Sequence, residues 1–270
     1  MSQKETSPIR ALLAGGAAGT SVDVALFPLD TVKTRLQSEA GFLASGGFRG
    51  IYNGLAPVVL ASAPSAAAFF CAYETTKNVL GSRVPTDYQP LVHITAASAG
   101  EVTACVVRVP MEVVKQRRQV QQFNSSLQVV QDILRNERFR GFFRGYFSTV
   151  ARDLPFSVIQ FPVWEVLKKL WSENQGYYVD SWQSSLCGAL SGGFAATITT
   201  PLDVAKTRIM LAHHSSTLAR GNITNALQAI YKHQGVTGLF SGVLVRAASI
   251  SLGGAIFFGI YEKVLSLLNM

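Results

Sequence analysis

Residues Phe27–Gln37 read FPLDTVKTRLQ. The stretch closes an apolar run that begins at Ile9, interrupts it with Pro28, and then sets out Asp30, Lys33 and Arg35. A helix buried in a soluble core has no use for such a junction. Two echoes follow: VPMEVVKQRRQ at Val109–Gln119 and TPLDVAKTRIM at Thr200–Met210. Similarity at a fixed period is the signature of a repeat architecture.

The three prolines, Pro28, Pro110 and Pro201, give a period of 82 to 91 residues. Each copy continues to a second mark: GIYNG ending at Gly54, GFFRG ending at Gly145, GLFSG ending at Gly242. Twenty residues further on stand Glu74, Glu165 and Glu262, each after an aromatic (Tyr73, Trp164, Tyr261). This register predicts three tandem repeats, 1–85, 86–178 and 179–270, forming one structural domain. Each repeat holds two apolar segments of about helix-spanning length. The odd ones cover about 9–36, 91–118 and 182–210; the even ones cover 55–74, 146–168 and 243–265. Between them, SSLQVVQDILRNE and NITNALQAIYKHQ space apolar residues at three and four, as short amphipathic surface helices do. The first repeat has a shorter, Gly-rich connection there.

Composition fits a membrane chain. Of 270 residues 48% are hydrophobic and 15% charged, and the mean hydropathy is positive, whereas soluble domains carry about a quarter charged residues. The net charge of +8 does not indicate nucleic acid, because the bases follow apolar segments and form no patch with interleaved aromatics. Fourteen of the 24 Lys and Arg lie between each proline and the following Gly54-type glycine, which places those loops on the inner side of the membrane. Cys71, Cys105 and Cys187 lie far apart inside apolar runs and are expected as small core residues, with no metal-ligand spacing. The Gly15/Gly19 and Gly188/Gly192 pairs read as packing faces between helices. No cleavable leader is expected at the N-terminus.

The thrice-repeated P-x-[DE]-x-x-[KR]-x-[KR] pattern, followed by its glycine element, resembles the mitochondrial carrier family over nearly the whole chain. That resemblance implies an all-α membrane protein of six transmembrane helices in three two-helix repeats. They form a threefold pseudosymmetric bundle around a central cavity. It also implies an inner-membrane location, both termini facing the intermembrane space, a monomer among membrane lipids, no cofactor and no enzyme activity. The motifs of intramembrane or hydrolytic enzymes are missing from the sequence.

Acid and base three residues apart share one helix face. Asp30/Lys33, Glu112/Lys115 and Asp203/Lys206 therefore offer three helix ends with one charge of each sign. In a threefold arrangement each acid reaches the base of the neighbouring helix and a ring closes. The resemblance implies that this ring is a matrix gate, braced by Gln37 and Gln119, with Met210 in the third brace position. It implies a second gate at the cytoplasmic side, from Glu74, Lys77, Glu165, Lys168 and Glu262. There the third copy departs, with Leu265 where a base is expected, so that ring is one pair short.

A symmetric cage grips an asymmetric cargo through residues that differ between repeats. Glu101 stands where the other copies have Gly19 and Gly192, Asp23 opposite Cys105 and Ala196, and Arg108 opposite Leu26 and Thr199. Arg152 matches Ala61 and Ser249, and Asp153 matches Ser62 and Ile250. Ionisable groups at membrane depth line a cavity or pair. Glu101 with Arg108 is open to both readings, His93 is expected at an interface, and Arg246 as a structural group. The set of Asp23, Glu101, Arg108, Arg152 and Asp153 suits a zwitterion with extra positive charge. The wording of AASAGEVTACVVRVP and RDLPFSVIQFPVWE is similar to family members that handle S-adenosylmethionine, implying exchange for S-adenosylhomocysteine. A cationic amino acid or an adenine nucleotide as cargo, and a receptor or scaffold without flux, stay as alternatives.

Overall fold

The computed structural model describes residues 8–81, 85, 89–120, 123–213, 216, 218 and 221–268, and the side chains among them at 19–81, 85, 91–120, 123–180, 182–213, 216, 218, 221–254 and 256. All regular structure among these residues is helical. The long helices are α1 (Pro8–Gln37), α3 (Leu55–Gly81), α4 (Gln89–Gln119), α7 (Tyr146–Gln175), α8 (Ser181–Leu211) and α10 (Val243–Leu268). At 26 to 31 residues each, they are roughly 39 to 46 Å long. Short elements connect them: α2 (Gly41–Ala44) in the first repeat, α5 (Ser126–Asp132), a π-helical turn at Ile133–Glu137 and α6 (Arg138–Phe142) in the second, and α9 (Ile223–Leu239) in the third.

Local chemistry sets these boundaries. The side chains of Ser125 and Asn222 cap α5 and α9, and Asp180 with Gln183 forms a reciprocal capping box at the start of α8. The glycines of the second mark, Gly54, Gly145 and Gly242, all have positive φ, at 92°, 80° and 74°, a conformation that favours glycine. A Cβ on Gly54 would lie 2.9 Å from the Lys115 carbonyl oxygen. The mark is thus a sharp turn into α3, α7 and α10. Those even helices start where the sequence predicts, and α3 and α7 run about two turns beyond the apolar runs. Their ends carry charge, so hydropathy alone stops too early.

Helix α3 packs along α4, α7 along α8, and α10 along both α8 and α1; lighter contacts of α1 with α3 and of α4 with α7 close the circle of six. The odd helices α1, α4 and α8 also meet one another, at the ends that follow Pro28, Pro110 and Pro201. One apolar cluster joins α4, α5, the π turn and α8 through Cys105, Val109, Val113, Val129, Ile133 and Met210. A second joins α8 and α9 through Val204, Ala205, Ile209, Ala226 and Ile230. The amphipathic connectors therefore seat on the ends of the odd helices. Cys105 and Cys187 are buried as expected, but Cys71 is exposed, because it faces away from α4 on the outer side of the circle.

Among the described residues one helix, Leu55–Gly81, is by itself long and apolar enough to cross a membrane. Ile223–Leu239 and Val243–Gly254, bent by 57°, pass the same criterion only together. Each odd helix joins an apolar run to a charged end, with polar groups set on its inner face. Helix α8 shows the division: Leu186, Leu190, Phe194 and Ile198 form an exposed apolar stripe at steps of four, while Thr199, Asp203 and Lys206 are buried.

Candidate substrate site and charged ring

The proline motif places an acid two residues and a base five residues after each Pro, on the face where α1, α4 and α8 converge. All three acids meet the base of another helix. Lys33 Nζ lies 2.7 Å from Asp203, Lys115 Nζ 2.8 Å from Asp30, and Lys206 Nζ 2.6 Å from Glu112. The circuit α1–α8–α4–α1 is closed. Gln37 Nε2 donates to Asp203 at 2.8 Å, and its Oε1 accepts from the Thr207 hydroxyl. Gln119 Nε2 donates to Asp30 at 2.8 Å and to Thr31, while its buried Oε1 has no partner among the described residues. Met210 packs into the apolar cluster, and Gln116 donates to Glu112 in that sector.

A second circuit lies two residues further on, which the motif's last basic position encodes. Arg35 Nε donates to the Gln119 carbonyl, Arg117 Nε to the Met210 carbonyl, and Arg208 Nε to the Gln37 carbonyl. Each arginine thus caps the C-terminal end of a neighbouring odd helix, where free carbonyls and the helix dipole favour a cation. Each also holds its connector: Arg35 the Gly47 carbonyl, Arg117 the Glu137 carboxylate at 2.8 Å, Arg208 the Gln234 amide. Sequence reasoning quoted these arginines without giving them a role. Their exact recurrence seven residues after each proline was the available signal.

Inward of the ring lie the residues that break the repeat. Arg108 Nη2 is 2.5 Å from Glu101 and 2.6 Å from Asp153, and 3.3 Å from Cys105 Sγ. Glu101, Cys105 and Asp153 hold their ligand atoms within 4.8 Å of one another, but the cation set among them is this guanidinium. Arg152 Nη1 pairs with Asp153 at 2.8 Å, and its Nε lies 3.7 Å from Asp203 without a hydrogen-bond partner among the described residues. Arg152 therefore touches both the cluster and the ring. Asp23 differs from the other two acids: it accepts from Ser62 at 3.0 Å and has no ion pair among the described residues. Asp23 with Ser62 occupies the same places in the first repeat as Cys105 with Asp153 in the second.

Three of these groups, Asp23, Arg108 and Arg152, border one cavity of about 640 Å³, open to solvent, whose lining also includes Ser62, Glu112 and Lys115. Glu101 and Asp153 stand behind Arg108 and do not line it. Arg246 is buried, donates to the Ala196 carbonyl and Thr199, and stands 3.7 Å from Asp203, consistent with a structural group.

At the other end the expected gate residues do not meet across helices. Lys77 pairs with Glu74 and Lys168 with Glu165, both at 2.7 Å and three residues apart within one helix. Both acids are more than half exposed. The helices are apart at that end, and each base falls back on its own helix. The Glu262 side chain lies outside the described residues. His93 Nδ1 is 2.8 Å from the Tyr73 hydroxyl between α3 and α4.

A circle of helices in three related pairs, latched by ion pairs at one end around a charged cavity, is the architecture of a solute carrier. The chain matches the mitochondrial carrier protein family at residues 4–84, 86–175 and 178–270, and it belongs to that family. It is 56% identical to the mitochondrial S-adenosylmethionine carrier protein of Mus musculus over 257 residues, covering 95% of this chain and 94% of the mouse protein. It is 57% identical to the protein of that name from Xenopus laevis, covering 94% of this chain and 96% of the frog protein. It is 52% identical to the S-adenosylmethionine mitochondrial carrier protein homolog of Drosophila melanogaster, over 96% of this chain and 93% of the fly protein.

Proposed function

We propose that the chain carries S-adenosylmethionine across the mitochondrial inner membrane in exchange for S-adenosylhomocysteine. It does so as a monomer of three repeats (1–85, 86–178, 179–270) whose six long helices cross the bilayer, with both termini in the intermembrane space. The names of the relatives support the cargo. The observation that carries the reading is the division of charge in the cavity. Among the described residues, Asp23 offers a carboxylate with no ion pair, and Arg152 offers a guanidinium whose Nε has no hydrogen-bond partner. A sulfonium amino acid brings the complement of each. Its cationic half faces Asp23, and its carboxylate takes the planar fork of Arg152.

The sulfonium requires a carboxylate that no other cation already holds. Glu101 is occupied by Arg108, so Asp23 takes that role, and Glu101, Arg108 and Asp153 position Arg152. A cargo carboxylate at Arg152 draws the guanidinium away from Asp203, 3.7 Å distant. The ring that Asp203 anchors is then weakened by bound cargo. In this assignment Asp30, Lys33, Glu112, Lys115, Asp203 and Lys206 form the matrix gate, braced by Gln37 and Gln119. Glu74, Lys77, Glu165, Lys168 and Glu262 form the cytoplasmic gate, disengaged in this state.

The test is exchange in proteoliposomes loaded with unlabelled S-adenosylmethionine and offered the labelled compound. External competitors are S-adenosylhomocysteine, arginine, lysine, ADP and ATP. Strong competition by S-adenosylhomocysteine alone is expected. Competition by the amino acids or nucleotides instead assigns a different cargo, and absence of any flux assigns a receptor or scaffold.

A further inference from the structure

A second cavity, of about 760 Å³ with its open mouth, lies between α7, α8 and α10, bordered by Gln160, Trp164, Ser184, Gly188, Ile250 and Gly254. It faces the interior of the helix circle. On α8, Ser184 and Gly188 lie opposite the exposed stripe of Leu186, Leu190 and Phe194, on the side that carries Asp203 fifteen residues beyond Gly188. On α7, Gln160 and Trp164 continue at steps of four the face of Asp153 and Phe156. Gln160 is eight residues beyond Arg152, a rise of roughly 12 Å, toward the end where the helices are apart.

Three features describe what fits there. The Gln160 amide makes no hydrogen bond among the described residues and offers a donor and an acceptor side by side, the pattern that pairs with the edge of adenine. Gly188 and Gly254 leave flat space. A Cβ at Gly254 would meet nothing within 4 Å, and one at Gly188 only the Trp164 ring at 3.8 Å. Trp164 is fixed as a wall, with Nε1 donating to the Ser184 carbonyl and Lys168 Nζ 3.6 Å from the ring centroid.

The geometry points to this cavity as the purine subsite: the adenine ring of the cargo lies between Gln160 and the glycine-flattened face of α8 while its amino-acid end is held at Arg152 and Asp23. The inference rests on the cargo proposed above. The Gln160 Oε1 accepts from the 6-amino group, and its Nε2 donates to a ring nitrogen. Length, polarity and position then agree: a charged amino-acid end near the ring, and a flat heterocycle one cargo length away from it.

The test compares competition, in the same exchange assay, by S-adenosylhomocysteine and by its analogue lacking the 6-amino group. The unmodified protein is expected to favour the amino compound by about tenfold or more, because the analogue leaves the amide oxygen unpaired. In Gln160→Leu that ratio should fall toward one. Gly188→Ala, whose methyl finds only ordinary contact with Trp164, serves as the second variant; it should also lower the ratio, by displacing the ring. A ratio near one in the unmodified protein, or one left intact by both substitutions, overturns the subsite. If no exchange of labelled S-adenosylmethionine occurs, the cargo assignment fails instead, so the two failures are told apart.

Discussion

Gln37 and Gln119 hold equivalent places, yet their surroundings differ in a way that a single substitution can read. Both ends of the Gln37 amide are used, by Asp203 and Thr207, whereas the Gln119 Oε1 is buried and unpartnered among the described residues. Replacing Gln37 by Leu strips a charge-assisted hydrogen bond and orphans a buried hydroxyl, at a cost of about 1–3 kcal/mol. Gln119→Leu loses a similar bond but also removes an acceptor that was costing energy. Thermal unfolding of the purified protein should therefore show the larger loss for Gln37→Leu; the reverse order contradicts the bracing geometry. Among the ring acids, Asp203 stands apart. It is 2% exposed and has Lys33 and Gln37 in contact, with Arg152 and Arg246 at 3.7 Å. Asp203→Asn leaves three cations without their common anion, and removal of one member of a buried pair costs about 3–5 kcal/mol. It should lower the unfolding temperature more than Asp30→Asn, whose acid is about a third exposed. The ring pairs were legible because a spacing of three repeats at a fixed place. The convergence of Arg152 and Arg246 on Asp203 was not, since it depends on how α7 and α10 cross α8.

At the scale of elements, the connectors decide how the odd helices end. Arg117 binds Glu137, and Arg144 binds the same carboxylate at 2.6 Å, so the π turn and α6 are tied to α4 and α8 through one buried acid. Immediately after it, Arg138 adopts φ 56° and ψ −159°. The third repeat has Gly235 at φ 64° and ψ −157° in the equivalent turn of α9. That region is nearly closed to residues with a Cβ and costs on the order of 1–3 kcal/mol. Arg138→Gly should accordingly raise the unfolding temperature, and Gly235→Arg should lower it. A loss of stability in Arg138→Gly shows instead that the exposed guanidinium supplies more than the backbone strain removes. The helices themselves were legible: proline, glycine and apolar period mark every long one, and α1, α4 and α8 end within two residues of expectation. What the pattern did not reveal was the π turn, where an extra residue within one helical segment leaves no trace in composition. It also missed the extension of α3 and α7 past Glu74 and Glu165, where amphipathic turns succeed apolar ones.

For the molecule as a whole, the two ends are held by different kinds of interaction, and that difference predicts how variants divide between stability and turnover. The latched end has three ion pairs between helices, with Lys206 and Asp203 nearly inaccessible to water. The other end has Glu74–Lys77 and Glu165–Lys168, each within a single helix and exposed, where a pair is worth a few tenths of a kcal/mol. In this state the latter contribute almost nothing to folding. In the exchange cycle proposed above, they serve only after the opposite ring opens, when α3, α7 and α10 draw together and the bases find acids across helices. The double variant Glu74→Gln/Glu165→Gln should thus unfold at nearly the same temperature as the unmodified protein, while its exchange rate falls severalfold because the alternate state is left unlatched. Lys33→Gln/Lys115→Gln should show the opposite division, with clear loss of thermal stability in the absence of cargo, because both pairs it removes are made in the resting state. Measured together in detergent and in proteoliposomes, the two variants separate the barriers. Equal thermal losses in both would mean that the exposed pairs already bear load here, and that the end carrying them is not a disengaged gate.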